Sequence, residues 1–260
     1  MKVQTNPFKQ AISAGRQQLG IWSSLCSNIV ADILSTAAFD WSLIDMEHSP
    51  NDLTSVLSQL QAYRSGTVHP VVRPPWNEPV MVKRLLDLGA PSLLFPMVQN
   101  AAEAEAAVRA CRYPPNGIRG VSLSQRANQY GHVTDYLEKG EAEICVLVQI
   151  ETLAALDRVE EIAGVDGVDG VFFGPADLSA DMGLLGQPNH DDVAAAIKSG
   201  AERVRGAGKP TGILVGDAGL ATRWLQEGIT FVACGTDLNL VARGARTLAD
   251  TVRQESGLKG

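Results

Sequence analysis

Ile144-Cys145-Val146-Leu147-Val148-Gln149-Ile150-Glu151 and Val168-Asp169-Gly170-Val171-Phe172-Phe173-Gly174-Pro175-Ala176-Asp177 are the two stretches whose reading decides the fold. Each is a short apolar, β-branched run that ends in an acidic signature. Runs of this length, bounded by Gly, Pro and charge, read as buried strands. Leu153 to Ala163 between them reads as a helix, so the unit is strand–helix–strand and its strands are parallel. Glu151 and Asp177 then emerge at the same end of neighbouring strands. Two carboxylates converging there, with no thiolate or His cluster beside them, suit a hard divalent cation such as Mg²⁺ or Mn²⁺. Taken singly, Glu151 reads equally well as a helix N-terminal charge and Asp177 as a loop cap.

The same rhythm extends outward in both directions. Gln18 to Leu25, Trp41 to Glu47, His69 to Arg73 and Ser92 to Val98 read as strands, separated by helices at Asn28 to Ala38, Asp52 to Ser65 and Val80 to Leu88. A helix at Ala101 to Arg112 follows the fourth strand. Beyond Asp177 come a Gly-rich loop at Ser179 to Asn189 and a helix at Asp191 to Gly206. A strand at Gly212 to Val215, a helix at Leu220 to Glu227, a strand at Thr230 to Cys234 and a helix at Leu238 to Gln254 complete the series. Eight strands alternating with helices, without a linker, predict an α/β fold: a single (β/α)8 TIM barrel over residues 1–260. A doubly wound sheet would favour a Gly-x-Gly-x-x-Gly turn after the first strand, and Leu19 to Asn28 has none. Tyr113 to Tyr130 breaks the rhythm. It is long and punctuated by Pro and Gly, the mark of a functional loop or an interface.

Composition narrows the function classes. The chain has 260 residues, 45% hydrophobic, with a net charge of −7. The acidic balance and the lack of a Lys/Arg cluster argue against nucleic acid. No apolar run approaches the roughly 20 residues of a membrane span, and Met1 to Gln10 lacks the apolar centre of a signal peptide. Cys26, Cys111, Cys145 and Cys234 are scattered without a Cys-x-x-Cys pair, as expected for reduced thiols of a cytoplasmic protein.

Active sites of such barrels lie at the C-terminal face of the strands. The polar residues expected there are Trp22, Asp45, Glu47, His48, Arg73, Gln149, Glu151, Asp177 and Asp237. Arg73 ends an apolar strand just before Pro74-Pro75; its fork of donors suits a carboxylate or a developing enolate oxygen, though a rim salt bridge is the plainer alternative. His48 is a candidate general base oriented by Asp45, or else a helix-capping histidine. Trp22 either lines the site or packs in the core. Asp237 reads as a cap of the last helix. His69, His132 and His190 read as structural or solvated. No lysine is placed for imine chemistry: Lys83, Lys139 and Lys198 fall on helix surfaces, Lys209 precedes its strand, and Lys2, Lys9 and Lys259 are terminal. Activation of a carbonyl would therefore fall to a metal ion.

In order along the chain, Asp45-x-Glu47-His48-x-Pro50-Asn51-Asp52, Arg73-Pro74, Tyr113-Pro114-Pro115-x-Gly117-x-Arg119-Gly120, Gln149-Ile150-Glu151 and Gly174-Pro175-x-Asp177-Leu178-Ser179 resemble the metal-dependent pyruvate aldolases of the HpcH/HpaI family. The resemblance implies Glu151 and Asp177 as ligands of Mg²⁺, Mn²⁺ or Co²⁺, Arg73 on the keto oxygen, His48 with Asp45 as a catalytic dyad, and Gln149 close to the substrate. It implies reversible cleavage of a 4-hydroxy-2-oxo acid, by way of an enolate, to pyruvate or hydroxypyruvate and an aldehyde. Decarboxylation of an oxaloacetate-like acid is the alternative enzyme reading, and a non-catalytic binding barrel the alternative outside catalysis. Family members are usually hexamers whose last helix packs across a subunit interface, and the Pro114 to Gly120 loop, with Arg119, would reach a neighbour's site. On this reading the backbone N–H groups of the Gly174-Pro175-Ala176-Asp177 turn, all but that of the proline, offer donors to the substrate carboxylate, and Leu214 and Val215 form an apolar wall beside it.

Overall fold

Eight parallel strands close into a barrel in chain order: β1 (Gln18–Ser23), β2 (Trp41–Asp45), β3 (His69–Arg73), β4 (Ser92–Phe95), β5 (Cys145–Ile150), β6 (Gly170–Phe173), β7 (Thr211–Val215) and β8 (Phe231–Thr236). The computed structural model describes residues 2–258; Met1, Gly260 and Lys259, read above as a terminal lysine, lie outside them. Twelve α-helices accompany the strands among the described residues: α1 (Pro7–Ser13), α2 (Asn28–Ser35), α3 (Leu53–Ala62), α4 (Pro79–Asp87), α5 (Ala101–Cys111), α6 (Tyr136–Lys139), α7 (Leu153–Asp157), α8 (Val159–Ala163), α9 (Pro175–Asp181), α10 (Asp191–Gly206), α11 (Ala218–Gln226) and α12 (Asp237–Ser256). This is the (β/α)8 barrel that the alternation of strand and helix predicts.

Alternation along each strand builds two cores. Trp22, Leu43, Val71, Leu94, Leu147, Phe172 and Phe231 fill the barrel interior. Their neighbours Ile21, Ile44, Val72, Leu93, Val146, Val171 and Val232 face outward and pack under the helices. The same parity carries the strand ends: Asp45 and Arg73 continue the inward rows of Leu43 and Val71, and Gln149 that of Leu147. It also separates the two residues expected to form one apolar wall. Leu214 packs against the interior cluster, whereas Val215 belongs to the outer one, so only Leu214 is available to the mouth.

Several boundaries differ from expectation for local reasons. The segment between β5 and β6 is two short helices, α7 and α8, that meet at Arg158. The Gly-rich loop beyond Asp177 begins later than expected, because Pro175 starts α9 immediately after β6; proline suits a first helical position, where no intrahelical N–H is needed. α1 was not anticipated. Asn6 caps it through its side chain, Pro7 opens it, and Phe8 and Ile12 close the end of the barrel opposite the mouth. There His69 is buried, stacked on Phe8 with centroids 5.7 Å apart and bonded to Ser92 at 3.0 Å. Burial lowers its pKa to about 3, which keeps the imidazole neutral. This is the structural role expected for it.

The long segment after α5 runs across that same closed end. Arg126 donates to the carbonyl of Leu88 at 2.5 Å and Arg119 pairs with Asp87 at 3.0 Å, both at the C-terminal end of α4. α12 stands apart: its Leu238, Leu240, Val241, Leu248 and Val252 are all exposed.

Candidate active site at the barrel mouth

Asp45 and Arg73 are direct cross-strand partners in the β2–β3 register. The contact is a bidentate ion pair, with Arg73 Nε on Asp45 Oδ1 at 2.9 Å and Nη2 on Oδ2 at 2.8 Å. Glu47 grips the other side of the guanidinium, its Oε2 2.8 Å from Nη1. Trp22 completes the enclosure. Its ring centroid lies 4.9 Å from Arg73 Cζ, and its Nε1 donates to Asp45 Oδ2 at 3.2 Å. Trp22 thus both packs against Phe172 and holds the charged pair in place. Burial pushes the Asp45 carboxyl up, but its hydrogen bonds and charge contact with Arg73 outweigh this and hold it below the usual carboxylate value. The Arg73 guanidinium, opposed by burial and favoured by the same pair, is held above its ordinary value.

A guanidinium carries five N–H groups. Two donate to Asp45, whereas Nη1 and Glu47 Oε2 form an ion pair that is not aligned as a hydrogen bond; the two N–H groups of Nη1 and one of Nη2 therefore remain, among the described residues, for a substrate oxygen.

Glu151 follows β5 and is 1% exposed. Its Oε2 accepts from the main-chain N–H of Met97 at 2.8 Å, and its Oε1 from the side-chain amide of Gln149. Gly174 leaves it room: a Cβ there would lie 2.6 Å from Glu151 Oε1 and 3.0 Å from Gln149 Nε2. The Gly174 N–H is committed to the carbonyl of Ile150 at 3.0 Å, so it is not a donor for substrate. Burial above all, with the charges of Glu47 and Asp177 adding to it, pushes the Glu151 carboxyl up to about 7. Asp177 and Ala176 are exposed in the first turn of α9, and Pro175 is half-buried.

Two expectations are corrected. His48 does not pair with Asp45, whose carboxylate is already taken by Arg73, Trp22 and the N–H of Glu47. Its side chain is 66% exposed, and Glu47 Oε2 is 3.9 Å from its Nε2. Arg119 is not at the mouth. It is 1% exposed at the closed end, its guanidinium 4.6 Å from the Tyr113 ring centroid and 5.9 Å from that of Tyr136.

Sequence reasoning also passed over a supporting layer. Asn51 donates to the Asp45 carbonyl at 2.7 Å and accepts from Gln59 at 2.7 Å. Asp237, expected as a helix cap, is buried and instead accepts from Ser23, from the N–H groups of Ser24 and Leu25, and from its own neighbour Leu238. Thr236 is the cap. For Asn51 the signal was its place in the Glu47-to-Asp52 run; for Asp237 it was an acid directly after a strand.

The model of the HpcH/HpaI aldolase/citrate lyase family matches residues 18–244. The chain belongs to the HpcH/HpaI aldolase/citrate lyase family. A 4-hydroxy-2-oxo-heptane-1,7-dioate aldolase of Klebsiella pneumoniae subsp. pneumoniae is 56% identical over 245 residues, covering 94% of this chain and 92% of the relative. One from Salmonella dublin is 53% identical over 256 residues, covering 98% and 97%. Among solved structures, an HpcH/HpaI family protein of Burkholderia cenocepacia J2315 superposes with a TM-score of 0.93 at 39% identity, covering 96% of this chain and all of its own. At the mouth of this chain's barrel the structure brings together Trp22, Asp45, Glu47, His48, Arg73, Gln149, Glu151, Asp177 and Leu214.

Proposed function

We propose that the protein is a divalent-cation-dependent aldolase. It reversibly cleaves 4-hydroxy-2-oxo acids, foremost 4-hydroxy-2-oxoheptane-1,7-dioate, to pyruvate and an aldehyde. The observation that carries this reading is the placement of a doubly clamped Arg73 beside the carboxylates of Glu151 and Asp177 at one barrel mouth. Relatives that share more than half of its residues and carry that activity in their names support the substrate class.

The mouth suits a cation. Asp45, Glu47, Glu151 and Asp177 bring four carboxylates against one guanidinium, so negative charge is in excess. Among the described residues no three His, Cys, Asp or Glu side chains are gathered closely enough to enclose an ion. Glu151 and Asp177 would therefore be the protein's two ligands, with substrate and water oxygens filling the remaining positions, a pattern usual for Mg²⁺ and open to Mn²⁺ or Co²⁺. Such an ion, when bound, supplies Lewis-acid polarisation of the 2-oxo group. The chain's own residues do the rest. Arg73 directs N–H groups that Asp45 does not engage at the 2-oxo oxygen, where negative charge grows as the C3–C4 bond breaks. His48, steered by Glu47, takes the proton of the C4 hydroxyl. The electron pair of the C3–C4 bond delocalises over C3 and the 2-oxo oxygen held by Arg73, C4 leaves as the aldehyde, and the proton held by His48 passes to C3 to give pyruvate. From the heptanedioate the aldehyde is succinic semialdehyde. Leu214 and Trp22 provide the apolar wall on the donor side.

The exposed apolar side chains of α12 favour a homo-oligomer, a hexamer arranged as a trimer of dimers, with this helix buried between subunits. Four free cysteines and the lack, among the described residues, of a helix long and apolar enough to cross a membrane agree with a cytoplasmic enzyme built as one domain.

The test is product analysis with purified protein, Mn²⁺ and 4-hydroxy-2-oxoheptane-1,7-dioate. Equimolar pyruvate and succinic semialdehyde are expected. No cleavage of any 4-hydroxy-2-oxo acid, with cation-dependent loss of oxaloacetate instead, would replace the aldolase by a decarboxylase.

A further inference from the structure

Among the described residues Met97 is one of four non-glycine residues with positive φ, at +54°, in the left-handed region. That conformation is unfavourable for a side-chain-bearing residue, and it persists only where the surroundings fix it. At Met97 they do so from both sides of the residue. Its N–H donates to Glu151 Oε2 at 2.8 Å, and its carbonyl accepts from Gln99 Nε2 at 3.2 Å. Gln99 Oε1 in turn accepts from the hydroxyl of Thr152 at 2.6 Å, and Thr152 follows Glu151 in the chain. The N–H of Val98 reaches the carbonyl of Gln149 at 3.2 Å. The turn after β4 and the end of β5 are thereby bolted together in a closed ring of hydrogen bonds around one carboxylate. Gln149 and the bare Cα of Gly174 bound that carboxylate on its remaining sides.

The dihedrals of Met97 set the peptide unit before its Cα relative to the one after it, and the left-handed values let the Met97 N–H reach Glu151 while the Val98 N–H reaches the Gln149 carbonyl. The strained backbone is the means by which a main-chain donor is aimed at Glu151 before any ligand arrives. We propose that Met97 is a positioning residue for cation binding: its left-handed backbone presents the N–H that fixes the Glu151 carboxylate, and Gln99 locks that backbone through Thr152. The inference rests on the reading of Glu151 as a cation ligand. The Met97 side chain has no part in it.

The test is the Mn²⁺ dissociation constant of the full-length protein, read from the paramagnetic resonance of the free ion. Circular dichroism and unfolding in EDTA serve as controls for the fold. Met97→Gly keeps the N–H and adopts the left-handed region freely, so its Mn²⁺ affinity stays within about twofold of the wild type. Met97→Val keeps the N–H, but its β-branched side chain opposes the conformation, so it binds Mn²⁺ about tenfold more weakly, the equivalent of 1.4 kcal/mol. Gln99→Leu loosens the same turn without forcing its backbone. It shifts affinity in the same direction and decides the matter if Met97→Val does not fold. Wild-type affinity in the folded Met97→Val protein, or in Gln99→Leu where the valine variant does not fold, overturns the proposal. So does a loss in Met97→Gly equal to that in Met97→Val. Glu151→Gln separates the two levels: wild-type Mn²⁺ affinity in that variant would instead break the assignment of Glu151 itself.

Discussion

Arg73 and Arg119 are both buried arginines, and they sit at opposite ends of the barrel in different company. Arg73 ends a strand. Two carboxylates hold it from either side, and three of its five N–H groups remain, among the described residues, for a substrate. Arg119 lies in a long connection behind the helices. Two tyrosine rings and Asp87 hold it. A motif can mark either kind of arginine. What distinguishes them is the element that delivers the side chain: a strand end points into the mouth by the parity of the pleat, whereas an irregular connection after a helix returns to the closed end.

The largest effect that would sharpen this contrast is at Arg73. Arg73→Ala should lower kcat/KM for cleavage by about 10²–10³, the usual loss for one donor to developing negative charge, with the fold intact by circular dichroism. Retained turnover would remove Arg73 from the chemistry. Arg119→Met should act on stability instead. Losing the hydrogen bond to the half-buried Asp87 costs about 1–3 kcal/mol, to be read as a lowered urea midpoint, while the activity of the folded fraction stays within about twofold. A selective loss of activity at unchanged stability would return Arg119 to the site.

A smaller effect separates the two ends by pH. His69 at the closed end has a pKa lowered to about 3 by burial, against about 6.5 in an unfolded chain. Between these values the unfolded state binds one proton more, so stability falls as pH falls from 6.5 toward 3, with a slope of about 1.4 kcal/mol per pH unit from this group. His69→Gln should flatten the acid limb of the stability curve by that slope. An unchanged limb would mean that His69 is not held neutral in the fold.

Much of this was legible in the residues, for physical reasons. A short apolar run stopped by charge is a strand entering a mouth, so Asp45, Arg73, Gln149 and Glu151 could be placed from local pattern alone. Pairing across strands could not. Asp45 was matched to His48, three residues on, because linear spacing does not show that register puts Arg73 directly beside it. Val215 was grouped with Leu214 where the period of two should have parted them. α1 escaped notice although Asn6-Pro7 is a sound helix start, because seven residues give too little periodicity to count. The Met97 turn left no trace in composition; left-handed backbone at a non-glycine residue appears only in the structure.

Pyruvate release from 4-hydroxy-2-oxoheptane-1,7-dioate, followed through removal of cations with EDTA and restoration of Mn²⁺ or Mg²⁺, tests most directly whether Glu151 and Asp177 hold an essential ion beside Arg73. Activity should vanish with the chelator and return with the ion in the wild type, and should fail to return in Glu151→Gln. Pyruvate release indifferent to EDTA would contradict the metal-assisted aldolase and leave Arg73 as the only electrophile at the mouth.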